Sequence, residues 1–295
     1  MHKEAQTLAL QAMGNQPCSY ADLHSHTTAS DGTLAPRDLL KTAFERGVKH
    51  LALTDPDTTS GHAEARAAAA EFGIDFIAGV EITCEAAGTE VHLLGLGVDA
   101  ANAALQELCI EMQRRRLKRF ADMHALLVAH GLKFELPKIP EGVSPSRPAL
   151  ARAIVAAGFA ANEEEAFARY LRKGRPGFLP NRREPIKSAV DAVHGAGGVA
   201  ILAHPGLYPN DTACMDEAIA SGADGLECVH PDHDEIHVQR YTARARKLGL
   251  LISGGADFHG FGHPRSHFFG KKFCPPDEFI RLQMAMTGKS ERTSL

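Results

Sequence analysis

The sequence predicts an α/β fold: a parallel barrel of seven strands with a mainly helical cap inserted into it. Three observations carry this. Short apolar strand signals alternate with helical periodicity from Tyr20 to about residue 100, and again from Pro185 onward. The rhythm breaks once, across residues 101–182, where a long helical pattern runs into a proline-bearing stretch. Nearly every strand signal ends on a histidine or a carboxylate.

The elements follow in order. Strand one leads into His24-Ser25-His26 and a turn at Asp31-Gly32. Pro36 opens a helix with Leu39, Leu40, Ala43 and Phe44 on one side, closed by Gly47. Residues 50–54 form a strand ending in Asp55-Pro56-Asp57, and Ser60 is placed to cap the alanine-rich helix that runs to Phe72-Gly73. Residues 75–83 form a strand carrying Glu81, and residues 90–98 one carrying His92. Residues 101–130 read as one helix, with Leu105, Leu108, Met112, Phe120, Met123 and Leu127 as its apolar side and Gly131 as its end. Residues 132–182 hold six prolines, with helical stretches near 148–157 and 163–172. Beyond Pro185 come a helix to His194, a strand ending on His204, a helix over 211–221, a strand over 225–229, a helix over about 233–248 and a strand over 250–259. The domain reading is an N-terminal extension at 1–19, a barrel from 20–100 and 183–295, and a cap at 101–182.

Bulk composition narrows the function. A chain of 295 residues, 44% hydrophobic and 23% charged, can hold one large α/β domain or two small ones. A net charge of −4 argues against a large nucleic-acid surface, while leaving room for a small anionic substrate or a short oligonucleotide in a local basic pocket. The six cysteines, at 18, 84, 109, 214, 228 and 274, form no CxxC pair, which fits a reducing, cytoplasmic compartment. No run approaches the ~18 apolar residues of a membrane span, and the first residues do not read as a signal peptide.

The chemistry collects at strand ends. On an extended strand, His24 and His26 point the same way, so two imidazoles can share one ion, with Asp31 offering an oxygen from the following turn. Glu81, His92, His204, Asp257 and His259 lie near the ends of other strands. In a βα barrel those ends converge on one face. So many carboxylates and imidazoles in one mouth are costly unless divalent cations compensate them. The set predicts a polynuclear metal centre of His24, His26, Asp31, Glu81, His92, His204, Asp257 and His259.

Taken together, His24-x-His26, Asp31, Thr54-Asp55-x-Asp57, Gly79-Val80-Glu81, Val91-His92, Ala203-His204-Pro205 and Asp257-Phe258-His259 resemble the motifs of PHP-domain (polymerase and histidinol phosphatase) proteins, in the family's order. Ser146-Arg147-Pro148 and the segment over 170–176 are similar to the cap of the branch that contains the 3′,5′-nucleotide bisphosphate phosphatase and the 5′-to-3′ RNA exonuclease. The resemblance implies a distorted seven-stranded barrel with two or three metals, manganese first, with zinc or iron as alternatives. It implies one site of His24, His26, Glu81 and Asp257, a second sharing Glu81 and adding His92 and His204, and a third using Asp31, His259 and a histidine after strand two. That histidine is replaced by Pro56, leaving the third site with Asp31 and His259, helped at most by Asp55 or Asp57. A second departure is Ala149, where the branch often has histidine after Arg-Pro.

The expected activity is metal-dependent hydrolysis of the 3′-phosphate of nucleoside 3′,5′-bisphosphates by a metal-bound hydroxide, with Glu81, Asp257 and His204 at the reaction and trimming of short RNA as a related activity. Arg147, Lys173, Arg175, Arg265 and His233 are the substrate-binding candidates. His233, His230 or a metal-bound water is the candidate proton donor. The run Arg114-Arg115-Arg116-Leu117-Lys118-Arg119 reads as a solvated helix face. Competing readings are another small-molecule phosphatase, such as one for histidinol phosphate, and a nucleotide binder silenced by Pro56.

Overall fold

A computed structural model of the chain describes residues 20–139, 143, 145–180 and 183–290; the expected extension at 1–19 and Cys18 lie outside them. Among the described residues there are eight strands: β1 (Ala21–Asp22), β2 (His50–Leu53), β3 (Asp75–Ala86), β4 (Thr89–Leu96), β5 (Glu184–Pro185), β6 (Val199–Leu202), β7 (Gly225–Val229) and β8 (Leu251–Gly254). Seven run in the order β1-β2-β3-β4-β6-β7-β8, and the two-residue β5 lies beside β3. The sheet nearly closes on itself. Leu23 N donates to Gly254 O (3.2 Å) and His26 N to Phe258 O (2.9 Å), joining the first strand to the last. Gly255 permits that approach, since a Cβ there would lie 2.6 Å from His24 N.

One expectation is corrected. The barrel is mixed, because β4 pairs antiparallel with both β3 and β6. The cause is local: β3 and β4 are joined by Ala87-Gly88, both at positive φ (50° and 70°). That is a two-residue hairpin turn, whereas a parallel return needs about a dozen residues or more.

The helices are α1 (Pro36–Glu45), α2 (His62–Phe72), α3 (Ala103–Ala129), α4 (Arg147–Ala156), α5 (Glu163–Ala166), α6 (Ile186–Gly195), α7 (Asp211–Ala220), α8 (Glu235–Leu248) and α9 (Pro276–Ser290). Asn102 caps α3 by accepting from Leu105 N. Ser60 does not cap α2; Gly61 precedes that helix and no side chain caps it. The barrel interior is apolar at its lower end, where Leu94, Leu96, Val199 and Ile201 meet Phe279 and Leu282 of α9. A layer from α6, α7 and α8 covers the outside.

The long helix α3 serves two cores. Leu105 and Cys109 pack with the barrel helices, while Phe120, Met123 and Leu127 pack with Leu150, Ile154, Tyr170 and Leu171 in a separate cluster. Its middle turns therefore cross the barrel mouth. Cys84, Cys109, Cys214, Cys228 and Cys274 are unpaired and buried. Among the described residues, no helix is long and apolar enough to cross a membrane.

Candidate metal centre and its basic rim

Each predicted ligand except Asp31 reaches the centre from a strand or the residues just beyond it. His24 and His26 follow β1, with ring centroids 5.0 Å apart. Glu81 lies inside β3, and His92 on β4 stands opposite Thr83, one step diagonally from Glu81. His204 follows β6, and Asp257 and His259 follow β8. His204 and Asp257 adopt φ of 29° and 47°, a region that costs an L-residue energy and persists only where the surroundings fix it.

Four groups of donor atoms, each within 4.8 Å of one another, form among the described residues: His24, His26 and Glu81; His24, His204 and Asp257; His26, Asp257 and His259; and Glu81, His92 and His204. Glu81 Oε1 lies 2.8 Å from His92 Nδ1 and 3.4 Å from both His204 Nε2 and His24 Nε2. Asp257 Oδ1 lies 2.9 Å from His26 Nε2 and 3.4 Å from His24 Nε2. Glu81 thus joins two of the groups, and Asp257 the other two.

The surrounding hydrogen bonds set the rings for ligation. Glu227 Oε1 lies 3.0 Å from His24 Nδ1, so that nitrogen carries the proton and the Nε2 lone pair faces Glu81 and Asp257. Tyr208 donates to Ala203 O (2.9 Å) and lies 3.2 Å from His204 Nδ1. With its one proton committed, Tyr208 can only accept from Nδ1, leaving Nε2 of His204 bare toward Glu81. His259 Nδ1 is fixed in the same way by Asp257 O at 2.9 Å. Two buried atoms of this cluster, His24 Nε2 and His26 Nδ1, have no hydrogen-bond partner. A bare imidazole nitrogen aimed at buried carboxylates suits a divalent cation, so the donor set fits divalent metal, with Glu81 shared by two of the donor groups.

The electrostatics agree. Burial opposes charge on Glu81, yet His92, His204 and His24 hold its carboxyl well below the usual range. Burial drives His204 down to about 4, which keeps its ring neutral and able to ligate. Burial would also lower His26, but the hydrogen bond to Asp257 and the charge of Glu81 lift it to about 9. The cluster is short of positive charge.

Glu227 is a candidate site residue that sequence reading passed over. It is fully buried on β7, and its Oε2 accepts from His204 N at 2.8 Å. Burial would raise its carboxyl, but His24, His230 and His204 bring it down to about 2. The available signal was an acid inside an apolar strand. Glu227→Gln should weaken divalent-metal affinity ~10–100-fold, the usual effect of losing a partner that orients a ligand. Competition with a fluorescent chelator measures this; unchanged affinity would deny Glu227 that role.

Above the carboxylates lies a cavity of about 260 Å³ lined by Glu81, His92, His204, Asp257 and His259, with Arg116, Arg119, Arg147 and Arg265 also on its walls. The basic run of α3 divides by helix face. Arg114 and Arg115 pair with Glu111, and Lys118 with Asp122, on the outside. Arg116 and Arg119 turn into the cavity, which corrects the solvated-face reading for those two. Arg119 donates from Nε and Nη2 to Leu179 O (2.9 and 2.7 Å). Burial, with Arg147 alongside, lowers its guanidinium to about 10, so it stays charged at neutral pH.

The other substrate candidates separate. Arg147 and Arg265 line the cavity, and Arg265 is paired with Asp257 and Asp232. Lys173 and Arg175 are exposed and away from it; Arg175 lines a different recess with His130 and Tyr170. His233 is buried behind the wall. Its Nδ1 donates to Cys228 O (3.0 Å) and its Nε2 accepts from Gly206 N (3.1 Å), so neither nitrogen is free for substrate or for proton donation. Asp55 and Asp57 are likewise spent. Asp55 holds Thr27 N (2.8 Å), Thr27 Oγ1 (2.7 Å) and Ser30 Oγ. Asp57 accepts from Thr83 N (3.1 Å) and pairs with Arg116 Nε (2.5 Å). Away from the cluster, His62 bonds Gly79 O and His124 bonds Phe134 O, each at 2.8 Å.

Comparison with known proteins adds four findings. Residues 22–134 match the PHP domain family. The chain is similar to a 3′,5′-nucleoside bisphosphate phosphatase of Chromobacterium violaceum, 36% identical over 251 residues, covering 82% of this chain and 87% of that one. It is also similar to a 5′-3′ exoribonuclease of Haemophilus influenzae, 35% identical over 244 residues, covering 81% of this chain and 89% of that one. Among solved structures, a proposed metal-dependent phosphoesterase from Bifidobacterium adolescentis superposes with a TM-score of 0.82 at 30% identity, covering 91% of this chain and 97% of that one.

Proposed function

The chain belongs to the PHP domain family, and on that premise we propose that it is a metal-dependent phosphoesterase that removes the 3′-phosphate from nucleoside 3′,5′-bisphosphates, leaving the 5′-monophosphate. One observation carries the substrate. Among the described residues, Arg119 and Arg147 line the cavity beside the ligand cluster with no salt bridge of their own, and the carboxylate whose charge reaches both, Glu90, is already paired with Arg183. Three half-buried guanidinium groups around one carboxylate call for a further anion. A substrate with one phosphate on the ligand cluster and another on this pair satisfies both ends of the cavity. Histidinol phosphate has only one phosphate and leaves the pair unanswered.

Divalent cations, manganese first, would be held by His24, His26, Glu81, His92, His204 and Asp257, and when bound supply Lewis-acid activation of water and phosphoryl oxygen. The protein's part is placement. Glu227 and Tyr208 fix the imidazoles in the ligating tautomer. Arg265, beside Asp257, offers charge to the equatorial phosphoryl oxygens as they gain charge. Arg119 and Arg147 take the 5′-phosphate and so choose which ester reaches the cluster. Residues 101–182 act as the cap that brings Arg116, Arg119 and Arg147 over the mouth. The volume of about 260 Å³ suits a mononucleotide better than a long strand. A second reading, stepwise 5′-to-3′ trimming of short RNA, is supported by a basic recess of Arg114, Arg115 and Lys118 that adjoins the cavity through Arg119. The buried free thiols support a reducing, cytoplasmic setting.

The test is phosphate release by metal-stripped protein resupplied with manganese. Adenosine 3′,5′-bisphosphate should be turned over and AMP should not. Tight binding of the bisphosphate with no phosphate release would replace the enzyme by a silenced binder.

A further inference from the structure

Asp31 stands apart in the donor set. It enters none of the four donor groups, and its nearest ring nitrogens, Nδ1 of His26 and Nε2 of His259, are each 3.7 Å away. The resemblance places a histidine across from this carboxylate, but here Pro56 lines the cavity at that point of the loop and brings no donor. Its neighbours cannot stand in, since Asp55 is consumed by Thr27 and Ser30, and Asp57 by Thr83 and Arg116. With His26 and Asp257 already counted in the groups around His24, Asp31 and His259 are the further protein donors left for a third ion among the described residues, and that set does not fit one.

Arg116 occupies the same corner. It reaches in from α3, is only 16% exposed, and is held through Nε by Asp57 (2.5 Å) and through Nη2 by Thr83 Oγ1 (2.5 Å). Gln113, one helical turn earlier, ties α3 to the same loop by donating to Asp57 O at 2.9 Å. The guanidinium is one of the positive charges acting on Asp31, and it acts on Glu81 as well. Its Nη1 has no hydrogen-bond partner among the described residues. A guanidinium keeps its charge at any pH the fold survives, and its planar donors match phosphoryl oxygens.

We propose that Arg116 replaces the third cation: the chain binds two divalent ions, and the guanidinium clamped by Asp57 and Thr83 supplies the remaining positive charge beside Asp31 and His259. This rests on the phosphoesterase reading above. Pro56 leaves this corner one ligand short, and the arginine that lies in the same corner carries a charge that repels a cation entering it.

The experiment counts ions. Protein stripped with a chelator, reloaded with manganese and desalted is analysed by mass spectrometry for metal per chain. Two ions per chain are expected, and three would overturn the proposal while leaving the phosphoesterase reading intact. No bound metal would overturn both. The double variant Pro56→His, Arg116→Met should gain a third ion; remaining at two would also count against the proposal. Calorimetry with inorganic phosphate on manganese-loaded Arg116→Met should show tenfold or weaker binding, with most of the affinity kept in Arg116→Lys. Equal phosphate affinity in wild type and Arg116→Met would overturn the role of the guanidinium.

Discussion

Glu81→Gln should lower turnover of adenosine 3′,5′-bisphosphate about 10³-fold or more and loosen metal binding at two positions together. Glu81 Oε1 faces His24, His92 and His204, so one carboxylate serves both halves of the cluster. Glutamine keeps the shape and removes the charge that two of the donor groups share. Metal-based stabilisation of a phosphoryl transition state is worth several kcal/mol, and each 1.36 kcal/mol is a factor of ten in rate. Metal content and activity should fall together, and excess manganese should recover only a small part of the activity. Aspartate makes an informative partner: it keeps the charge, shortens the reach, and should retain more metal than glutamine. Full activity in Glu81→Gln would remove Glu81 from the centre.

Most of this site was legible because its residues obey two simple periodicities. His24 and His26 had to share a side once the stretch was extended, and His204, Asp257 and His259 had to share a rim once their strands ran parallel. Whatever depended on side-chain direction in helices or on loops was not legible. Arg116 and Arg119 belong to a run whose other cations are solvated. Only the turn of α3 over the mouth, fixed by its two separate cores, decides which face looks inward. Lys173 and Arg175 resembled cap motifs, yet both stay on an exposed surface away from the cavity. His233 carried the residue type of a proton donor, but two backbone contacts take up its nitrogens. The antiparallel β4 was hidden in Ala87-Gly88, a turn too short to stand out between two apolar runs. Glu227 was visible as a residue and silent as a role, since its meaning depends on His24 lying across the barrel at 3.0 Å.

Removing the rim charges should separate substrate choice from chemistry. In the double variant Arg119→Ala, Arg147→Ala, KM for adenosine 3′,5′-bisphosphate should rise about 10²–10³-fold. A hydrogen bond to a charged group contributes roughly 1.5–3 kcal/mol, and neighbours that share one phosphate do not add in full. Both arginines line the cavity with the ligand cluster, and a guanidinium is no metal donor, so metal content should stay as in wild type. The decisive comparison is adenosine 3′-monophosphate, which carries the scissile phosphate and lacks the 5′-phosphate. Wild-type protein should handle it as poorly as the double variant handles the bisphosphate, and the double variant should treat the two substrates within a few-fold of each other. Each interaction is then lost once, from the protein side or from the substrate side, and removing both should cost little more than removing either. Single variants should show that Arg119 matters more, since burial lowers its guanidinium and its one hydrogen-bond partner among the described residues is Leu179 O. A double variant that still prefers the bisphosphate by the wild-type margin would mean that the 5′-phosphate lies elsewhere, and the basic recess beside Arg114 and Lys118 would become the next place to look for it.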